Sequence, residues 1–280
     1  MKPKFDGYAA QYDAWFMENE NLFQSELRLF QKVLGDIQGK RVLSVGCGSG
    51  LFESMIDCSG IEGIEPSRDM GAIAEKRGVN VVAFGAIEDV ELEENAYDVI
   101  YLNGSSSYME DLTRAFDVCK KALKPNGTFI SLDVPKESAF GFMYLLAKEV
   151  GTFDHPFLNG VMPKLPYPHE LCCAGVWHST EEKIDVLKAL AFGADAVVVA
   201  CPLCHMNLDL RQRQAVGGSM KMPVLYFTQL MGLALGLPHQ ELGFEKLCVS
   251  PDELLRKIDA AQAAKAAAAK ADEATEEAKA

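Results

Sequence analysis

The stretch VLSVGCGSG, residues 42–50, decides how this chain folds. Val42 to Val45 make a short apolar strand, and the strand runs straight into Gly46, Gly48 and Gly50. Glycines at a strand exit let the backbone turn tightly and let a ligand come close to it. The next apolar run, IEGIE, ends at Glu65, about twenty residues downstream, where an acid can take the hydroxyls of a ribose. A dinucleotide fingerprint needs its third glycine one residue later than Gly50. The spacing therefore disfavours NAD and favours an adenosine ligand without a pyrophosphate. A plain strand–turn–helix corner is the alternative.

Outward from this loop the pattern is regular. Upstream, residues 8–35 read as helical, with Leu22, Phe23, Leu27, Phe30, Val33 and Leu34 at helical spacing. Downstream, strands alternate with helices: IEGIE, VNVVAF, YDVIYLN and NGTFISLD are strands. The segment after Ser67 and the run from Asp111 to Leu123 are helices, the latter with Leu112, Phe116, Cys119 and Leu123 inward. Such alternation predicts an α/β fold: a Rossmann-like, mostly parallel sheet with helices on both faces.

Residues 150–178 interrupt the rhythm with four prolines and with Phe153, Phe157, Tyr167 and Trp177. A long irregular segment rich in aromatics is either a lid or a poorly ordered linker; because it follows the fifth strand, it is expected to form a lid on the acceptor side of the ligand. STEEKIDVLKAL then restores a helix, with Ser179 and Glu182 as a capping box. ADAVVVA and MPVLYF are strands on either side of a helix that starts near Pro202, a βαβ unit that extends the fold at its C-terminal end. Its first strand, 196–200, is expected beside the fifth strand or one place beyond. From Pro251 the chain is an amphipathic helix that grades into a low-complexity, helix-prone tail. Three parts are expected: 1–192, 193–258 and a tail from 259 to 280.

The chain has 280 residues and a net charge of −13. An acidic surface repels phosphate backbones and anionic lipid, so neither nucleic acid nor a membrane is an expected partner. No run approaches the ~18 apolar residues of a membrane span; the richest, Val224 to Leu237, is short and carries Gln229. The first residues lack the apolar stretch of a signal peptide, so a cytoplasmic location with mostly reduced cysteines is expected.

In order, VLSVGCGSG, IEGIEPSRDM, AIEDV, YDVIYLN and ALKPNGTFISLDVP resemble the motifs of a class I S-adenosylmethionine-dependent methyltransferase, over roughly residues 5–192. FDGYAAQYDAWF resembles the entry segment of the branch that acts on small molecules. The resemblance implies S-adenosylmethionine as cofactor and a small-molecule methyl acceptor. It implies that the loop Gly46–Gly50 passes under the methionine part and that Glu65 takes the ribose hydroxyls. Ile87 and Glu88 would flank the adenine, Asn103 would face the methionine end, and Tyr8 and Tyr12 would close over the cofactor. His155, His169 and His178 are candidate bases for an acceptor that must lose a proton.

GADAVVVACPLCHMNLDLRQRQ and MPVLYFTQLMGLALGL resemble instead the C-terminal end of the B polypeptide of heterodisulfide reductase, over roughly residues 190–258. That family binds iron–sulfur clusters and works with redox partner subunits. Cys201 and Cys204 match the last element of its motif, whereas Cys172 and Cys173 imitate the preceding pair with the glycine one place late. A remnant, an iron–sulfur or zinc site completed by Cys172 and Cys173, and a redox dithiol all remain open. A c-type haem would need export.

Overall fold

The computed structural model describes residues 3–56, 60–151, 169–190, 196–199, 205–206, 209–210 and 222–263. The chain divides into two compact units, residues 1–192 and 193–280.

The first unit opens with two helices rather than one, α1 (Ala9–Glu18) and α2 (Glu20–Leu34). The break falls at Asn19, whose backbone is non-helical and whose Nδ2 donates to the Trp15 carbonyl at 2.8 Å. An asparagine that bonds back to its own helix competes with continuing it.

Five strands follow: β1 (Val42–Val45), β2 (Ile61–Ile64), β3 (Asn80–Ala83), β4 (Tyr97–Asn103) and β5 (Leu123–Leu132). Their order is β3-β2-β1-β4-β5, and every neighbouring pair is parallel. α3 (Arg68–Lys76) and α4 (Leu112–Ala122) lie between strands, N-capped by Ser67 and Asp111 as short polar side chains commonly do. The chain runs outward from β1 to β3 and then returns to lay β4 on the other side of β1. The direction of winding therefore reverses between β1 and β4, where open α/β sheets leave a crevice at the strands' carboxyl ends.

Alternate residues of the strands feed two cores. Leu43, Val45, Ile64, Ile100 and Leu102 pack with Phe116 and Cys119 of α4. Val42, Ile61, Val99, Tyr101 and Ile130 pack with Phe23, Leu27 and Phe30 of α2. The sheet is thus covered on both faces, as a parallel sheet requires. Cys47 and Cys119 are buried in this unit. Burial pushes both thiols upward, Cys119 to about 12, so they behave as apolar packing.

After β5 come α5 (Ala139–Val150), α6 (His169–Ala174) and α7 (Thr180–Ala189). The capping box forms as expected: Ser179 Oγ accepts from the Glu182 N–H, and the Glu182 carboxylate accepts from the Ser179 N–H at 2.6 Å. Residues 152–168, most of the expected lid, lie outside the described residues.

The second unit holds β6 (Val197–Val199) and β7 (Val224–Tyr226), followed by α8 (Phe227–Ala234) and α9 (252–263). The two strands are parallel, with Val198 opposite Leu225, and residues 205–206 and 209–210 between them are helical. The expected place for β6 beside β5 is wrong: β6 and β7 form a separate two-stranded sheet. The physical reason is a core of its own, built from Leu225, Leu233, Phe244 and Leu255 with Ala196 and Ile258 packed against it. One face of β6 is open, since Val199 is buried but Val198 is 44% exposed.

Candidate active site

At the carboxyl end of β1 the backbone takes positive φ at Gly46 (72°), Gly48 (56°) and Gly50 (68°). Two of these glycines serve packing. A Cβ on Gly46 would stand 2.5 Å from the Ser105 Cβ, and one on Gly50 would stand 3.0 Å from the Ala74 Cα. Gly48 differs, because a Cβ there would meet only the Met70 methyl, at 3.6 Å. Its open side faces a cavity.

Glu65 holds this loop from below. One carboxylate oxygen accepts from the Gly48 N–H at 2.8 Å and the other from the Ser67 N–H at 2.9 Å. The side chain is buried. Loss of hydration outweighs the two backbone donors, and the carboxyl is pushed up to about 7. The N-terminal segment is clasped over the same loop. Ser49 Oγ donates to Asp13 at 2.6 Å, and Arg77 donates both to Asp13 at 2.7 Å and to the Ser49 carbonyl at 2.9 Å. Gly7 N–H donates to Asp69 at 2.7 Å. These bonds fix α1 beside the glycine turn.

The cavity occupies about 680 Å³ above the carboxyl ends of β1, β2 and β4. It brings together seven of the expected residues: Tyr12, Gly46, Gly48, Glu65, Ile87, Glu88 and Asn103 all line it. Gly50 does not; it packs under the loop against Ala74 and Val79. Tyr8 is not among the lining residues either. The short turn of helix Ile87–Asp89 sets Ile87 inward and buried, with Glu88 at the wall.

The other wall was largely missed by sequence reasoning. Trp15, Phe16, Tyr108, Tyr144 and Trp177 line it, together with Glu26 of α2. Tyr144 and Trp177 stack with ring centroids 4.7 Å apart, and Tyr108 lies 5.8 Å from Trp177. Trp177 is held there because residues 176–178 tie back to the loop after β4. The Val176 N–H donates to the Ser107 carbonyl at 2.7 Å, and a His178 ring nitrogen meets the Met109 carbonyl at 2.8 Å. Of the candidate bases, His178 has Nε2 on the Met109 carbonyl and Nδ1 3.9 Å from the Glu182 carboxylate, and it is not among the residues that line the cavity. His155 and the side chain of His169 lie outside the described residues.

A family model for the methyltransferase domain matches residues 43–131. Ubiquinone biosynthesis O-methyltransferase of Shewanella halifaxensis is 30% identical over 172 residues, which cover 54% of this chain and 72% of that enzyme. The chain belongs to the S-adenosylmethionine-dependent methyltransferase family. A solved S-adenosylmethionine-dependent methyltransferase of Thermotoga maritima, described as a possible histamine N-methyltransferase, is 26% identical with a TM-score of 0.54; the match covers 67% of this chain and 78% of that one. A second likeness is to the B polypeptide of ferredoxin:CoB-CoM heterodisulfide reductase of Methanosarcina mazei, 42% identical over 82 residues, 28% of this chain. The chain spans about a quarter, 26%, of that polypeptide's length.

The methyltransferase site suits an adenosyl cofactor on its own geometry. A buried carboxylate, short of hydration, lies at the end of β2 beside a glycine whose open side faces the cavity. The cysteine site stands differently. Cys201, Cys204 and the Cys172 side chain lie outside the described residues, and Cys173 is partly buried on α6. Among the described residues no three His, Cys, Asp or Glu side chains converge as metal ligands. Among them, too, no helix is long and apolar enough to cross a membrane.

Proposed function

We propose that this methyltransferase binds S-adenosylmethionine on the Gly48 side of the glycine turn and transfers its methyl group to a small-molecule acceptor. The observation that carries this is the single cavity wall shared by Gly48, Glu65, Ile87, Glu88 and Asn103. Glu65 takes the ribose hydroxyls, which replace the hydration its carboxylate lacks. Ile87 and Glu88 flank the adenine, Asn103 faces the methionine end, and Tyr12 closes over it from α1.

Bound there, the cofactor supplies a methyl group already activated by the positive sulfonium. The residues of this chain contribute proximity and alignment. The clasp of Asp13, Ser49 and Arg77 holds the glycine turn still, and the aromatic wall excludes water from the acceptor side. A mostly apolar cavity of about 680 Å³ with polar groups at its wall suits a small molecule better than a polymer.

Calorimetry with S-adenosylmethionine and S-adenosylhomocysteine tests this. Saturable one-to-one binding is expected, and no binding would overturn it.

A second reading concerns residues 193–258, which we infer to be the segment similar to the heterodisulfide reductase polypeptide. The 42% identity favours a cluster or zinc on Cys201 and Cys204, with redox partner subunits. Iron, sulfide and zinc analysis of protein purified without oxygen decides it. Stoichiometric metal supports the redox reading, and its absence leaves methyl transfer alone.

A further inference from the structure

Glu26 is an anomaly on α2. Leu22, Glu26 and Phe30 follow one another at four-residue steps, so they share a helix face. Phe23, Leu27 and Phe30 are core residues, yet Glu26 stands within their stripe and reaches the cavity. No hydrogen-bond donor or cation among the described residues meets its carboxylate, and loss of hydration alone pushes it up to about 7. Glu26 is half-buried, and taking even part of a carboxylate out of water without a partner is costly.

The surroundings define the partner. Trp15, Phe16, Tyr144 and Trp177 present aromatic surface to the same cavity. Ring faces attract cations, more strongly where water is excluded. Among the described lining residues two are cations, Lys4 and Arg114, and both are engaged. Lys4 donates to the Tyr108 carbonyl at 3.0 Å and pairs with Glu110 at 3.6 Å, while Arg114 pairs with Asp89 at 3.4 Å. An anionic acceptor would find a carboxylate and no unengaged cation among the described lining residues. A cationic acceptor would find a carboxylate and aromatic rings.

We propose that Glu26 is a catalytic residue and that the acceptor is an amine, whose ammonium group binds the Glu26 carboxylate beside the aromatic wall and gives up a proton to it. The inference rests on the methyltransferase reading above. In the step, one N–H proton of the ammonium passes to Glu26 and leaves a neutral amine. Its lone pair forms the nitrogen–carbon bond as the carbon–sulfur bond breaks and that electron pair stays on sulfur. The product is an N-methylammonium ion with S-adenosylhomocysteine. The proton on Glu26 goes to solvent when the product leaves.

The chain's two tryptophans, Trp15 and Trp177, both line this cavity, so their fluorescence reports its occupancy directly. The probes are benzylamine, benzyl alcohol and benzoate, titrated into the full chain loaded with S-adenosylhomocysteine. Methyl transfer to benzylamine is followed by S-adenosylhomocysteine formation. The parent is expected to bind benzylamine at least about tenfold tighter than benzyl alcohol, the low end for a hydrogen bond to a charged group. E26Q is expected to lose that preference and the methyl transfer. It should keep benzyl alcohol binding and cofactor affinity, which shows that it is folded. Equal binding of the three probes by the parent, tighter binding of the alcohol or benzoate, or an E26Q variant that still prefers and methylates benzylamine would overturn the proposal while methyl transfer as such stands. A parent that binds no cofactor in calorimetry overturns the underlying reading and this one with it.

Discussion

Cofactor binding should release a proton from Glu65. In the empty site burial holds that carboxyl at about 7 against an ordinary 4.5, so near neutrality it is half protonated. Ribose hydroxyls donate to a carboxylate and favour its charged form, which draws the carboxyl back down. If bound cofactor restores the ordinary value, affinity falls about thirtyfold between pH 8 and pH 5.5, at roughly tenfold per pH unit on the steep part. At pH 7 about half a proton should leave per cofactor bound. The same shift sets stability. The folded carboxyl lies above its unfolded value, so its contribution is complete below pH 4.5 and lost as pH rises through 7, at a cost of about 3 kcal/mol to the empty protein. The assay is calorimetry with S-adenosylhomocysteine from pH 5.5 to 8, in buffers of different ionisation enthalpy. Glu65→Gln should flatten the pH dependence, while Glu26→Gln should leave it in place. A parent whose affinity is flat across that range, with an enthalpy independent of buffer, would refute the reasoning.

Gly48→Asn keeps a residue type that tolerates positive φ and puts a side chain on the open face of the turn. Binding of S-adenosylhomocysteine by calorimetry should weaken at least about tenfold, with the melting temperature nearly unchanged. In the core, the Tyr101 hydroxyl donates to the buried Glu53 carboxyl at 2.7 Å beside Ser44 at 2.9 Å. Tyr101→Phe removes one of those donors, and denaturant unfolding at neutral pH should show a loss of about 1–3 kcal/mol.

Much of the sheet is legible because its signals are local. Val42 to Val45 followed by three glycines is one strand and one turn whatever surrounds it, and the acid at Glu65 marks the end of the next strand. The expected residues meet at one cavity, since strands of one parallel sheet present their carboxyl ends together. Gly46, Gly48 and Gly50 look equivalent in sequence but are not. Gly46 and Gly50 are spent on packing against Ser105 and Ala74, and only tertiary contact separates them from Gly48. Asn19 was missed because the periodicity of Leu22 to Leu34 overlaps that of the preceding helix. Glu26 left a trace, an acid between Leu22 and Phe30 on an apolar stripe. A lone acid in a stripe is also how a helix edge looks, so only the cavity gives it meaning.

The misplaced strand β6 shows where local signals stop. A run of valines indicates a strand, but it does not name a partner, and β5 is the nearest strand in sequence with an edge to offer. What decides pairing is which apolar surface the strand's own neighbours bury. Leu225 of β7, Leu233 of α8, Phe244 and Leu255 form one cluster, and Ala196 at the start of β6 packs against it. That cluster closes within residues 196–258, which is most of the span that resembles a different protein. A segment that carries its own core gains little from joining a foreign sheet, and β6 pairs within it. The same logic predicts where function divides. Among the described residues, those that line the cavity run from Pro3 to Trp177, all of them in the first unit. Substitutions in the C-terminal core should therefore alter the folding of the second unit before they alter affinity for the cofactor.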